Sequence, residues 1–81
     1  MDRERLQREG RLSLRAKEAK ALEMKCKGLI DSVRLQLDPL EKIEELDMEL
    51  AFQEMADLMK TFLEYREALE DIKAIKKALG K

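Results

Sequence analysis

Histidine and tryptophan are absent from this chain; cysteine and proline occur once each, and glycine three times. Each shortage closes off a class of explanation. Without histidine the commonest general base is missing. Neither a Ser-His nor a Cys-His arrangement can be assembled for nucleophilic catalysis. Cys26, the single cysteine, has no partner in the chain for a disulfide. One thiol without imidazoles also falls short of the ligands a zinc site needs. Scattered glycines make no phosphate-cradling loop. Aromatics amount to 4% of residues, which leaves little for stacking on bases. No apolar run approaches the roughly 20 residues of a membrane span, and the charged start Met1-Asp2-Arg3-Glu4-Arg5 leads into no signal-peptide core. These absences predict a chain that is not an enzyme, carries no cofactor or metal and does not act at a membrane. A lone free thiol suits a reducing compartment, so cytoplasm is the expected location.

What the chain does contain is helix-forming. Charged residues make up 43% and apolar residues 44%, with Leu, Glu, Lys, Ala, Met and Arg dominant; these are strong helix formers. At 81 residues the chain forms one domain, residues 1–81. A domain of this size draws only about 3–5 kcal/mol from its own core and commonly leans on disulfides, metals or partner chains. With the first two set aside, idealised helix packing and oligomerisation are left.

Asp38-Pro39-Leu40-Glu41 is the clearest punctuation. Proline suits a first helical position and pushes the residue before it out of the α region. Asp38 can serve as N-cap, with Glu41 in the capping-box position. The spacing predicts helix 1 over about 2–37, a turn at 38 and helix 2 over about 39–79, stopped by Gly80. The rival is one long helix kinked at Pro39. At about 1.5 Å per residue, two helices of roughly 60 Å around a short turn read as an all-α antiparallel hairpin, coiled-coil-like, completed into a bundle by oligomerisation. Gly28, in helix 1, marks a bend or a close helix approach, or is a glycine that the helix simply tolerates.

On helix 1, Leu12, Ala19, Leu22, Cys26, Leu29, Ile30, Val33 and Leu37 share one stripe, which makes Cys26 a buried structural thiol. On helix 2, Ala51, Met55, Leu58, Phe62, Tyr65, Leu69, Ile72, Lys76 and Leu79 repeat every 3.5 residues or so, the coiled-coil signature. Met48, Phe52, Ala56, Met59 and Leu63 widen this arc beyond what one neighbouring helix can cover. The predicted interface is therefore Met48, Phe52, Met55, Met59, Phe62 and Leu63. It would be covered by a second copy in a homodimer or tetramer, or by another helical protein, as in a small chaperone, an inhibitor or an accessory protein of a mobile element.

Charge is sorted by position. Residues 38–71 carry three basic and twelve acidic side chains, whereas 72–81 add four lysines and no acid. Acids at the start and lysines at the end of helix 2 complement its dipole. A sharper reading gives Arg3, Arg5, Arg8, Arg11, Lys73 and Lys77 phosphate contacts at the open end of the hairpin. The net charge of −1, the interspersed acids and the missing aromatics disfavour nucleic acid as the partner. Glutamates at helical spacing, such as Glu41, Glu44 and Glu45, read as a solvated face and not as a metal site.

Overall fold

The computed structural model describes residues 2–80. Helix α1 spans Asp2–Gln36 and helix α2 spans Met48–Ala78. They pack antiparallel into a rod measuring 64 × 15 × 14 Å, the hairpin that the proline break predicts. Arg15 bonds Asp71, and Tyr65 bonds Glu23. These cross-links fix the register, which sets Ala19 opposite Ala68 and Cys26 opposite Thr61.

Both helices bury a stripe whose members alternate three and four residues apart. On α1 it runs Leu12, Arg15, Ala19, Leu22, Cys26, Leu29, Val33, Gln36, and on α2 it runs Ala51, Glu54, Leu58, Thr61, Tyr65, Ala68, Ile72, Ile75, Leu79. Ala19, Cys26, Val33, Ala51, Thr61 and Ala68 are the most buried residues. All are small or of moderate size, and small side chains let two helix axes approach closely. The buried Thr61 hydroxyl is satisfied by donating to the Asp57 carbonyl at 2.8 Å.

This seam corrects the predicted one. Ala51, Leu58, Tyr65, Ile72 and Leu79 belong to both, because they recur every seventh residue. Between them the structure buries Thr61 and Ala68 and half-buries Glu54 and Ile75, whereas Met55, Phe62, Leu69 and Lys76 lie one position round the helix and stay exposed. Ile30 and Leu37, expected on the inner stripe of helix 1, are likewise exposed. Close approach selects for small side chains at the contact line and leaves the large ones beside it.

The start of the second helix is also corrected. Asp38 does not cap a helix at Pro39. Its side chain accepts from Leu40 N–H at 2.9 Å, and its carbonyl accepts from Glu41 N–H at 3.1 Å. That is an Asx-type turn with proline at the second position, where its fixed φ fits. A 3-10 turn over Ile43–Glu45 follows, and Asp47 becomes the N-cap, accepting from Leu50 N–H at 3.0 Å. A helix restarting at Pro39 would leave almost no chain to cross to a neighbour some 8–10 Å away and reverse direction. At the other end Gly80 takes φ 75°, the left-handed geometry that glycine adopts without strain when it stops a helix. A Cβ placed on Gly28 would meet nothing within 4 Å, so close approach is not why a glycine stands there.

Candidate helix-packing face

The displaced seam leaves α2 with a second stripe, Met48, Phe52, Met55, Met59, Phe62, Leu69, set beside the buried one. Helical spacing builds it: each residue follows the last by three, four or seven positions, so all share one side. Every predicted interface residue lies exposed on or beside this stripe: Met48, Phe52, Met55, Met59, Phe62 and, at its far edge, Leu63. Phe52 keeps 75% of its surface in water, and Met59 57%. From α1, Ile30 joins them. Ile30, Met55, Leu58, Met59 and Phe62 line a shallow groove that is almost wholly apolar. The Arg66 guanidinium sits 5.8 Å from the centre of the Phe62 ring and bounds the groove toward the C-terminal end.

The opposite broad face is polar. There Arg15 binds Asp71 at 2.8 Å and also pairs with Glu18. The bond to Glu18, joined by Asp71, holds the Arg15 guanidinium above its ordinary pKa. Glu64 and Glu67 continue that side. On the groove side, Glu23 accepts from Lys27 at 3.0 Å and from the Tyr65 hydroxyl at 3.4 Å. Lys27 above all, with Lys20, holds the Glu23 carboxyl below the ordinary glutamate range.

Cys26 is buried in the seam, as its stripe predicts. The six candidate phosphate contacts do not converge. Arg11 lines a hollow with Arg15, Glu18 and Asp71 on the polar face, whereas Lys73, by helical spacing, lies on the side of Leu69 and Lys76. Arg5 and Arg8 line a hollow with Glu4, and Arg5 pairs with Glu9 at 3.8 Å. Arg3 and Lys77 are exposed at the same end.

No family model, no curated protein and no solved structure matches this chain. Among the described residues no cluster of potential metal ligands forms, and no helix is long and apolar enough to cross a membrane.

Sequence reasoning missed four polar members of the seam. Arg15 and Gln36 on α1 and Glu54 and Thr61 on α2 occupy stripe positions. One Glu54 carboxylate oxygen is buried with no hydrogen-bond partner. The signal that finds them is the unbroken three-four spacing, counted without regard to polarity.

Proposed function

We propose that this protein is a structural or adaptor module that works by self-association of the hairpin, with the exposed apolar stripe of α2 as the interface. The observation carrying this reading is the continuity of that stripe. Phe52, Met55, Met59 and Phe62 stand exposed together, with Ile30 beside them. Monomeric proteins seldom leave so contiguous an apolar strip in water, and a two-fold dimer is the commonest closed way to cover one. Phe52 and Phe62 serve as anchors, since aromatic side chains carry a disproportionate share of binding energy. The chain acts by binding and not by catalysis, and its free, buried thiol suits a cytoplasmic setting.

A second reading has one observation in its favour. Met48, Met55 and Met59 form an adaptable strip of the kind that accommodates varied helices, so a different helical protein is the other candidate occupant. Nucleic acid has weaker support, because the open-end arginines and lysines face different ways and sit among acids.

Light-scattering mass on a gel-filtration column, at low and moderate salt, tests the proposal. A stable dimer or tetramer at both salts is expected. A monodisperse monomer at micromolar concentration would transfer the stripe to a foreign partner.

A further inference from the structure

The hairpin has two unlike ends. At its turn end stand Asp38, Glu41, Glu44, Glu45, Asp47 and Glu49, with Lys42 as the only base among residues 38–49. At its open end, residues 3–11 of α1 and 73–77 of α2 together carry seven Arg or Lys side chains against Glu4 and Glu9, so that end is net basic although its bases point to different sides. The apolar stripe lies between these ends.

Two two-fold arrangements can lay one stripe against another. In the first, turn end meets turn end; the six turn-end acids then crowd against their copies, and so do the open-end bases. In the second the copies run in opposite directions, and each acidic turn end lies far from its copy and beside the later part of the other copy's stripe, where Arg66 and Lys73 stand. Like charges face each other at both ends of the first arrangement, whereas the second keeps the two acidic ends apart and the two basic ends apart.

We infer that two copies of this chain pair in the reversed arrangement, α2 against α2, with the two-fold axis level with the Met55–Met59 turn. The inference rests on the self-association reading and adds the orientation and register. The stripe's own spacing gives the register. An axis between Met55 and Met59 places Met55 against Met59 of the second copy, Phe52 against Phe62, and Met48 against Arg66. Ile30, which shares the groove with Met55 and Met59, then lies at the axis and meets its own copy. The acidic connection of each copy comes level with Leu69 and Lys73 of the other. Exposed Ile43 of that connection gains Leu69 as an apolar neighbour.

Mass and a distance measurement together test this. The full chain carries Cys26→Ala, so that no native thiol competes, and Ala74→Cys, at an exposed position on the polar face far from the stripe. A spin label is attached there, and circular dichroism confirms helicity. In the reversed dimer the labels are at least about 50 Å apart, reckoned at about 1.5 Å per residue on both sides of the axis. In the turn-to-turn dimer they lie within about 30 Å, two hairpin widths. A dimer with the long distance supports the pairing, and one with the short distance overturns it while leaving self-association intact. A monomer by light scattering overturns both. The register has its own check, a disulfide between a chain bearing Met48→Cys and one bearing Arg66→Cys, both with Cys26→Ala. A dimer with the long distance but without this cross-link, with Met48→Cys chains instead joining to themselves, would refute the stated register.

Discussion

The two apolar stripes of α2 differ in a way that residue type alone does not suggest. The buried one is built around Ala51, Thr61 and Ala68, and the exposed one from Phe52, Met55, Met59 and Phe62. The hairpin closes on its small residues and leaves its large ones outside. The largest side chains offer the most free energy on burial, at roughly 25 cal/mol per Å² of apolar surface. Folding of the single hairpin therefore leaves much of the helix's apolar area uncovered. The inner stripe governs whether the hairpin forms, and the outer stripe is available for whatever the hairpin meets.

Substituting one residue in each stripe should separate these roles. Phe62→Asp on the outer stripe is expected to have the larger effect, weakening self-association by about 2–4 kcal/mol, as removal of an aromatic anchor typically does. Mass should fall to that of one chain while helicity persists, and the concentration dependence of Tm should vanish. Unchanged mass together with unchanged stability would place the interface elsewhere. Ala68→Leu acts on the inner stripe, where Ala68 has no exposed surface and faces Ala19. The added side chain forces the helices apart and should cost about 1–3 kcal/mol of folding stability, as overpacking does. Urea unfolding followed by circular dichroism measures this. A neutral Ala68→Leu would mean that the helices are not held as close as the seam implies.

Glu54 sharpens the contrast, because it is the acid among the inner residues of α2. Its buried oxygen has no hydrogen-bond partner, and an unsatisfied buried acceptor costs about 1–3 kcal/mol. Glu54→Leu should therefore raise stability by about 1–2 kcal/mol, with the burial of apolar surface adding to the relief of that cost. A lower Tm in this variant would show that the carboxylate has a partner and helps hold the seam.

How much of this was legible in the sequence follows from the same contrast. Asp38-Pro39 between two long apolar-periodic stretches was enough for the hairpin, and Gly80 for the end of α2. The seam was half legible. Ala51, Leu58, Tyr65, Ile72 and Leu79 fit two seams equally well, and preferring large hydrophobes between them selected Met55, Phe62 and Leu69 over Glu54, Thr61 and Ala68. Periodicity fixes the spacing of a stripe, whereas the closeness of the helices, a tertiary property, decides which of two neighbouring stripes turns inward. On α1 the recurrence of Ala19, Cys26 and Val33 every seventh residue was the available hint that contacts would be small. The start of α2 was misplaced for a different reason: Asp38 can cap a helix or close an Asx turn, and the span needed to reverse the chain decides between them. The exposed face itself was legible, since an apolar arc too wide for one neighbour must leave part of itself uncovered.

Glycine at position 28 offers a smaller test, on α1 away from both stripes. With nothing within 4 Å of an added Cβ, Gly28→Ala should stabilise the protein by up to about 1 kcal/mol through helix propensity alone. Mass should not change. A destabilised Gly28→Ala would reveal a contact that the open space around position 28 does not display.

The smallest effect expected is the acid response of Glu23, the residue that ties α1 to Tyr65. Lys27 chiefly, and Lys20, lower its folded-state pKa below the ordinary glutamate value of 4.5. A carboxyl whose pKa is depressed by folding binds fewer protons folded than unfolded, so folding is favoured where it is ionised in both states. Its contribution is therefore complete above that ordinary value and is lost as pH falls through the depressed folded one. The carboxyl carbon signal of Glu23 in a carbon-13 NMR titration should show a midpoint below the ordinary glutamate value. Lys27→Met should move that midpoint upward, toward the ordinary value, more than Lys20→Met does, because the bond from Lys27 is the larger cause of the shift. If both variants leave the midpoint where it was, the contact with the Tyr65 hydroxyl, and not the lysines, would have to hold Glu23 ionised, and the link between the helices would be stronger than a 3.4 Å bond suggests.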